Sequence, residues 1–449
     1  MRDGLIIMAE HIFTGFGFGP IQSGLFAKEA FESGNFSRIV AAEIDQSIVD
    51  AVRANKGSYY VNVAKADGIE AQKIDGVELL NPNVPKDRQA LVEVLAQSTE
   101  ITTCLPSINF YDSIMALIAD GLKNSKSKAK ATIIYTAENH NRAAEILDEK
   151  INHELTRTGT NFEREEFIKI RGENFSVQFL NTVIGKMSRV VGDSAEIAQL
   201  GLKTVTPGFE RAFLVEEFNK ILVTRTQISS FKPGIEVFIE KDNLLPFEEA
   251  KLYGHNAIHS LLGFIAAVKG YTKMTEVKAD GDIMQIGRNA FLNESGAALI
   301  KKYANLGDEL FTEAGCKNYA EDLLERMTNP YLADTVARVC RDVVRKLGIN
   351  ERIFGTMQLA LEYGIEPNNM ALGALAGIAV LLKKAQEYNL PGDLRFADWR
   401  KLDGSSIEKI LNWLWQGQIY AQAEQLIKYV QNARERLETL IGEYIWPVA

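Results

Sequence analysis

Residues 11–20 read HIFTGFGFGP, a short β-rich run that enters three glycines at alternate positions, Gly15, Gly17 and Gly19, with Pro20 behind them. A helix is expected from about Ile21 to Glu32, and SRIVAAEID, residues 37–45, reads as a second strand. Outward from this start the alternation continues. QSIVDAVRANKG reads as a helix, YYVNVA and VELLN as short strands, and ITTCLP (101–106) and ATIIYTAEN (131–139) as strands flanking a helix rich in Ala and Leu. FSVQFLNTVIG, near 175–185, reads as one more strand entering a turn. Short β-rich segments alternating with helices are the pattern of a doubly wound α/β layer.

The glycines sit where the first strand hands over to the first helix. There the backbone can approach a pyrophosphate, and the helix amino end supplies oriented N–H groups. The third glycine of G-x-G-x-x-G is absent: counted from Gly17 the position holds Gln22, and counted from Gly15 it holds Phe18. The second strand ends in Glu43 and Asp45. A carboxylate there accepts the ribose hydroxyls of NAD and repels the extra phosphate of NADP. Glu43 is the first candidate and Asp45 the second, so the expected cofactor is NAD on a Rossmann-type domain. Thr103, at the end of the 101–106 strand, and Asn139, after the 131–137 strand, join the expected cofactor-binding set.

After about residue 205 the texture changes, and from Leu245 onward 3.6-period segments dominate: 249–269, 293–305, 317–327, 331–347, 350–363 and 369–386. The expected organisation is a dinucleotide-binding domain over 1–205 and a mainly α-helical substrate domain over 206–449. The region after 386 is read as extra helices, including ARERLETLIGEYIW near the carboxy end. With 46% hydrophobic and 24% charged residues and a net charge of -9, the composition is that of a soluble globular protein and argues against nucleic acid or a membrane surface as partner. No stretch has the apolar length of a bilayer span, the start MRDGLIIMAEHIF lacks the pattern of a signal peptide, and the three widely spaced cysteines form no metal motif. A reducing cytoplasm is expected, with monomer and homodimer both open.

FEEAKLYGHNAIHS, residues 247–260, concentrates chemistry on one helix. At ~100° per residue, Glu248, Lys251, His255, Asn256 and His259 fall within an arc of ~140°. An amine lowered in pKa by burial and neighbouring positive charge can take the proton of a secondary alcohol as hydride leaves. Asn256 and His259 can hold the reacting oxygen, His255 can add a substrate contact, and Glu248 can relay the proton toward water. The plainer alternative makes Lys251 and Glu248 a surface pair and His259 a core residue.

Lys251-x4-Asn256-x2-His259, with Glu248 three residues before the lysine, is similar to the signature of the long-chain polyol dehydrogenases, the mannitol dehydrogenase family. That resemblance implies lysine as general base, asparagine and histidine orienting the oxygen, the glutamate linked to proton transfer, and no metal. It also implies that a non-glycine is tolerated at Gln22. Over residues 10–385, TNPYLADTVARVCRDVVRKLGINERI and LEYGIEPNN resemble the mannitol-1-phosphate 5-dehydrogenase branch, and Asn139 in TAENHN resembles the substrate-side asparagine. Gly185 and Lys186 stand where the family often has aspartate and arginine. Arg341, Arg345 and Lys346, with Arg352 nearby, can grip a phosphate, if 341 and 345 share a helix side; a solvated basic face is the alternative. The expected reaction interconverts mannitol 1-phosphate and fructose 6-phosphate with NAD. Free polyols or hexuronates (tagaturonate or fructuronate) are the second expectation, and a non-catalytic NAD-binding sensor or scaffold is the third.

Overall fold

The computed structural model describes residues 11–125, 131–157, 176–229, 231–417 and 421–442. Outside these lie Met1 to Glu10, which carry most of the stretch read for a signal peptide, Phe175 at the head of the strand expected there, and Glu443 to Trp446 of the expected last helix. The chain forms two compact units, Met1–Leu245 and Pro246–Ala449.

In the first unit the described strands are β1 His11–Phe16, β2 Phe36–Ala42, β3 Tyr59–Ala64, β4 Ile69–Ile74, β5 Val77–Leu80, β6 Glu100–Thr103, β7 Ala131–Thr136, β8 Ser176–Ile184, β9 Ser188–Val191, β10 Ala212–Glu216, β11 Ile221–Thr224 and β12 Phe238–Lys241. The large sheet runs β12-β11-β8-β7-β6-β1-β2-β5, and a small one runs β4-β3-β10-β9. From β5 through β2, β1, β6 and β7 to β8 every neighbour is parallel; β11 then pairs antiparallel with β8. The chain thus winds outward from β1 in one direction and restarts at β6 in the other, which puts the topological switch point between β1 and β6. Since β10, β11 and β12 complete these sheets, the boundary falls at Leu245 and not at the expected 205.

Strands buried on both faces need apolar residues at consecutive positions. Along β2, Ile39 and Ala41 join one core layer and Val40 and Ala42 the other. The second layer is closed by Leu91 and Val94 of helix Pro85–Leu95, Leu117 and Ile118 of helix Met115–Asn124, and Leu147 and Ile151 of helix Ala143–Arg157. Each such fully buried side chain contributes roughly 1.5–3 kcal/mol.

The second unit is helical. Its centre is the helix Asn368–Lys383, in which every residue from Met370 to Leu382 is buried. A helix apolar all round belongs inside a bundle. It packs against the helix Ala257–Lys269 and against the later helices Ala423–Asn432 and Arg434–Ile441. The buried Glu294 carboxylate accepts from the backbone N–H of Asn369 (2.7 Å) and Met370 (2.9 Å), which satisfies donors that the helix start leaves open. The expected helix over 331–347 is broken into Val336–Val339 and Val343–Lys346. Asp342 takes a left-handed conformation (φ 55°), and the buried Lys346 Nζ donates to the Val339 carbonyl at 2.5 Å, capping the first piece. Among the described residues no helix is long and apolar enough to cross a membrane.

Candidate active site

In the first unit the glycine loop is shaped by close approach. Gly17 has φ +85°, and a Cβ there would sit 2.8 Å from the carbonyl oxygen of Cys104, just beyond β6. Its N–H donates to Ala42 O (2.8 Å), while Cys104 N–H donates to Phe16 O (3.0 Å), so the loop is tied to both flanking strands. Gly19 is different: nothing lies within 4 Å of a Cβ built there, which leaves its backbone open to a ligand. Phe18 is buried, its ring edge-on to Tyr59, so only its main chain can face a cofactor.

Gln22 is fully buried and accepts from Thr102 Oγ1 at 2.8 Å. A Cβ on Gly15 would lie 1.9 Å from Gln22 Nε2. The close helix–strand contact usually made through a third glycine is therefore made here by the Gln22 amide over Gly15. Gln22 thus packs under the loop, where the sequence suggested a cofactor contact.

Glu43 accepts from Phe18 N–H (2.8 Å) through one oxygen and from Asp45 N–H (2.8 Å) through the other. It braces the glycine loop from the end of β2 and retains free lone pairs for a ribose. Asp45 is committed elsewhere. It caps the helix Gln46–Ala54 by accepting from Ser47 N–H (3.0 Å) and is ion-paired with Arg211. The Ser47 and Arg211 hydrogen bonds hold its carboxyl down at about 2. Glu43, not Asp45, has the geometry for a ribose contact.

Thr103 is buried and donates to Glu138 Oε2 (2.9 Å). Glu138, which sequence reading passed over beside Asn139, also accepts from Leu105 N–H (2.8 Å) and Tyr111 OH (2.5 Å). Burial pushes its pKa up against those three bonds. It fastens the loops after β6 and β7 together, and Asn139 stands exposed on the second of them.

In the second unit the candidate helix is not uniformly α-helical. Leu245–Glu249 is α, Ala250–Asn256 is π, and Ala257–Lys269 is α again. The expected ~100° spacing therefore fails across Lys251 to Asn256, because a π turn carries an extra residue. Its irregular carbonyl is provided for: Tyr253 O accepts from Ser295 Oγ (2.7 Å), while Thr356 Oγ1, 3.2 Å away, gives its one proton chiefly to Arg352 O at 2.5 Å.

Glu248, Lys251 and Asn256 are half-buried, and His255 is buried. Desolvation first, and the Arg352 guanidinium second, bring Lys251 down from 10.5 to about 8, with Glu248 opposing. His255 is held well below its usual value by burial, then by His259 and the cations Arg326, Lys251 and Arg352. Its ring centroid is 6.3 Å from that of His259, and its Nδ1 has no hydrogen-bond partner among the described residues. His259 Nε2 lies 3.3 Å from Asp334 Oδ2, within ion-pair range though off the line of a full hydrogen bond. Burial lowers the His259 pKa, and Asp334 acts against that.

The expected phosphate group is rearranged. Arg341 lies exposed between the two short helices, and Arg345 is exposed and paired with Glu351 (3.2 Å). They do not share one helix side, because the helix is broken at Asp342. The desolvated cations are the buried Lys346, lowered to about 8 by desolvation and Arg352, and the half-buried Arg352, itself lowered by desolvation and paired with Glu351 (3.4 Å). Sequence reading missed Asp334 and Arg338. The Asp-x3-Arg spacing, one helical turn, was the available signal.

Residues 243–441 match the family of mannitol dehydrogenase C-terminal domains. The match runs through the helices after 386, which the expected second domain of 206–449 already included. Across both units the fold is similar to a D-sorbitol dehydrogenase in substrate-free form (TM-score 0.74, 14% identity, 96% of this chain and 94% of that one). It is also similar to Pseudomonas fluorescens mannitol 2-dehydrogenase in a ternary complex with NAD and D-mannitol (TM-score 0.67, 16% identity, 96% and 94%). The family match covers the second unit, and the two structural likenesses are likenesses of fold.

Proposed function

We propose that the chain is an NAD-dependent, metal-independent dehydrogenase of secondary alcohols on polyols, with mannitol 1-phosphate and fructose 6-phosphate as its substrate pair. The observation that carries this reading is an amine held near 8, Lys251, on the same helical segment as Asn256 and His259. At neutral pH such a lysine exchanges protons readily with a hydroxyl.

The residues of the first unit fit a dinucleotide: an open main chain at Gly19, a left-handed Gly17 at the switch point, and Glu43 at the end of β2. When bound, NAD accepts the hydride from the alcohol carbon. Lys251 takes the hydroxyl proton, Asn256 and His259 orient the substrate, and Glu248 passes the proton outward. In the reverse direction Lys251 returns the proton to the carbonyl oxygen. Lys346 and Arg352, both cationic and largely desolvated, favour a substrate carrying a phosphate.

A second reading is favoured by the matched structures, whose names specify sorbitol and mannitol: a free polyol, or a hexuronate whose carboxylate would use the same two cations. A panel of fructose 6-phosphate, fructose, tagaturonate and fructuronate, followed by NADH absorbance, separates these. The expected result is fastest NADH consumption with fructose 6-phosphate. Preference for fructose or a uronate selects the second reading, and NADH binding with no consumption across the panel sinks both in favour of a non-catalytic sensor.

A further inference from the structure

Asp334 is 2% exposed and begins the segment that leads into the short helix Val336–Val339. A carboxylate so deeply buried has to be paired. Arg338, one turn later, grips it with two parallel bonds, Nε to Oδ1 and Nη2 to Oδ2, both 2.5 Å, and Thr335 N–H adds a third at 2.8 Å. The Asp334 carbonyl is also occupied, accepting from Met274 N–H at 3.0 Å. The carboxylate therefore cannot rotate, and its Oδ2 is held 3.3 Å from His259 Nε2, within ion-pair range though off the line of a full hydrogen bond. From these contacts we infer that Asp334, locked by Arg338, is a positioning residue that fixes the ring orientation and tautomer of His259. The inference rests on the dehydrogenase reading for its catalytic consequence but not for its geometry.

The chemistry follows from the inventory of a neutral imidazole, which has one N–H and one lone pair. Besides Asp334, the groups that act on His259 are the cations Arg338 and Lys346, which oppose a proton, and the neighbouring His255 ring. Burial adds to their effect, so the ring is neutral, and the carboxylate draws its single N–H to Nε2. Asp334 itself stays ionised: desolvation works against the charge, but the two Arg338 bonds and the nearby His259 ring together outweigh it. The second ring nitrogen is then an acceptor. It can receive a neighbouring hydroxyl of the substrate, but not the reacting one, whose single proton goes to Lys251, and it cannot donate to an alkoxide, so stabilising the developing charge falls to Asn256 and to the Lys251 ammonium formed in the step.

The test replaces the carboxylate by its amide. Asp334→Asn can offer Nδ2–H to the histidine and so favours the opposite tautomer. On the full-length protein, kcat is expected to fall roughly 10-fold or more, the scale seen when the partner orienting a functional imidazole is removed, with KM for NADH little changed. Because Asp334 is buried, a second measurement guards against simple misfolding. In ¹⁵N-histidine spectra His259 of the unmodified protein should show N–H at Nε2, and in Arg338→Lys, which keeps a charge beside Asp334, that tautomer and most activity should persist. A His259 protonated at Nδ1 in the unmodified protein overturns the inference. So does a folded Asp334→Asn protein with undiminished kcat. If the unmodified protein consumes no NADH with any substrate, the dehydrogenase reading fails by itself, and the tautomer measurement still decides this one.

Discussion

At Lys251 two effects act in one direction. Desolvation disfavours the ammonium, Arg352 repels it, and the single opposing neighbour, Glu248, is the smallest contribution. With Lys251 as the proposed base the amine is the working form in alcohol oxidation, so the oxidation rate should rise about tenfold per pH unit below 8 and level off above it. Ketose reduction needs the ammonium and should fall above about 8. Arg352→Gln removes a positive neighbour, which must raise the Lys251 pKa and move both inflections to higher pH; rate profiles from pH 6 to 10 read this directly. Lys251→Ala should lower turnover by at least ~100-fold while NADH binding stays nearly intact. Turnover that barely changes would remove Lys251 as the base. The sequence made Lys251 the candidate base because an acid, an amine, two imidazoles and an amide fall close together on one segment. A lowered pKa was expected from burial and neighbouring positive charge, but the cation that supplies it was not legible, since Arg352 stands about a hundred positions further along the chain.

For the helix that carries the site, the decisive feature is the π turn Ala250–Asn256. A turn with one residue too many leaves main-chain groups out of line, and the structure answers with the Ser295 hydroxyl on the Tyr253 carbonyl. The variant Ser295→Ala removes that donor. It should cost about 1–3 kcal/mol, the penalty for an unsatisfied buried acceptor, measurable by urea denaturation. It should also lower kcat more than it raises KM, because the turn that presents Lys251 can then revert to a regular helix. Unchanged stability would show that the carbonyl finds another donor. Periodicity identified the helix and its apolar face, but it assumes 3.6 residues per turn throughout and cannot register an insertion. The same assumption merged the helices Val336–Val339 and Val343–Lys346 into one, with the consequence that Arg341 and Arg345 were assigned to a common side they do not share.

Across the whole molecule, the parallel sheet places the glycine loop at the switch between β1 and β6, and the loop survives only if no side chain intrudes there. Gly17→Ala would meet the Cys104 carbonyl at 2.8 Å in a left-handed conformation. The conformation alone costs an L-residue roughly 1–2 kcal/mol, and the clash with main chain adds to it. A lower Tm and a weaker NADH affinity by calorimetric titration are the expected outcomes; NADH binding at unaltered affinity would separate this loop from the cofactor. The order of strands around the switch was foreshadowed by the strand–glycine–helix–strand–acid run in residues 11–45. The full count was not, because β10 to β12 are short and lie among turns, so the first unit ends forty positions later than the composition suggested.

What the sequence alone determined is whatever is encoded within a few residues of itself: the alternation of strands and helices, the glycine turn, the acid at the end of β2, and the cluster from Glu248 to His259. What only the tertiary structure decided is which of these groups are free to act. Asp45 is withdrawn by Arg211, 166 residues away; Gln22 is turned inward by Thr102; and His259 is given a fixed partner in Asp334. Those pairings form because burial makes an unpartnered polar group costly, and burial is a property of the packed chain, not of any segment read by itself.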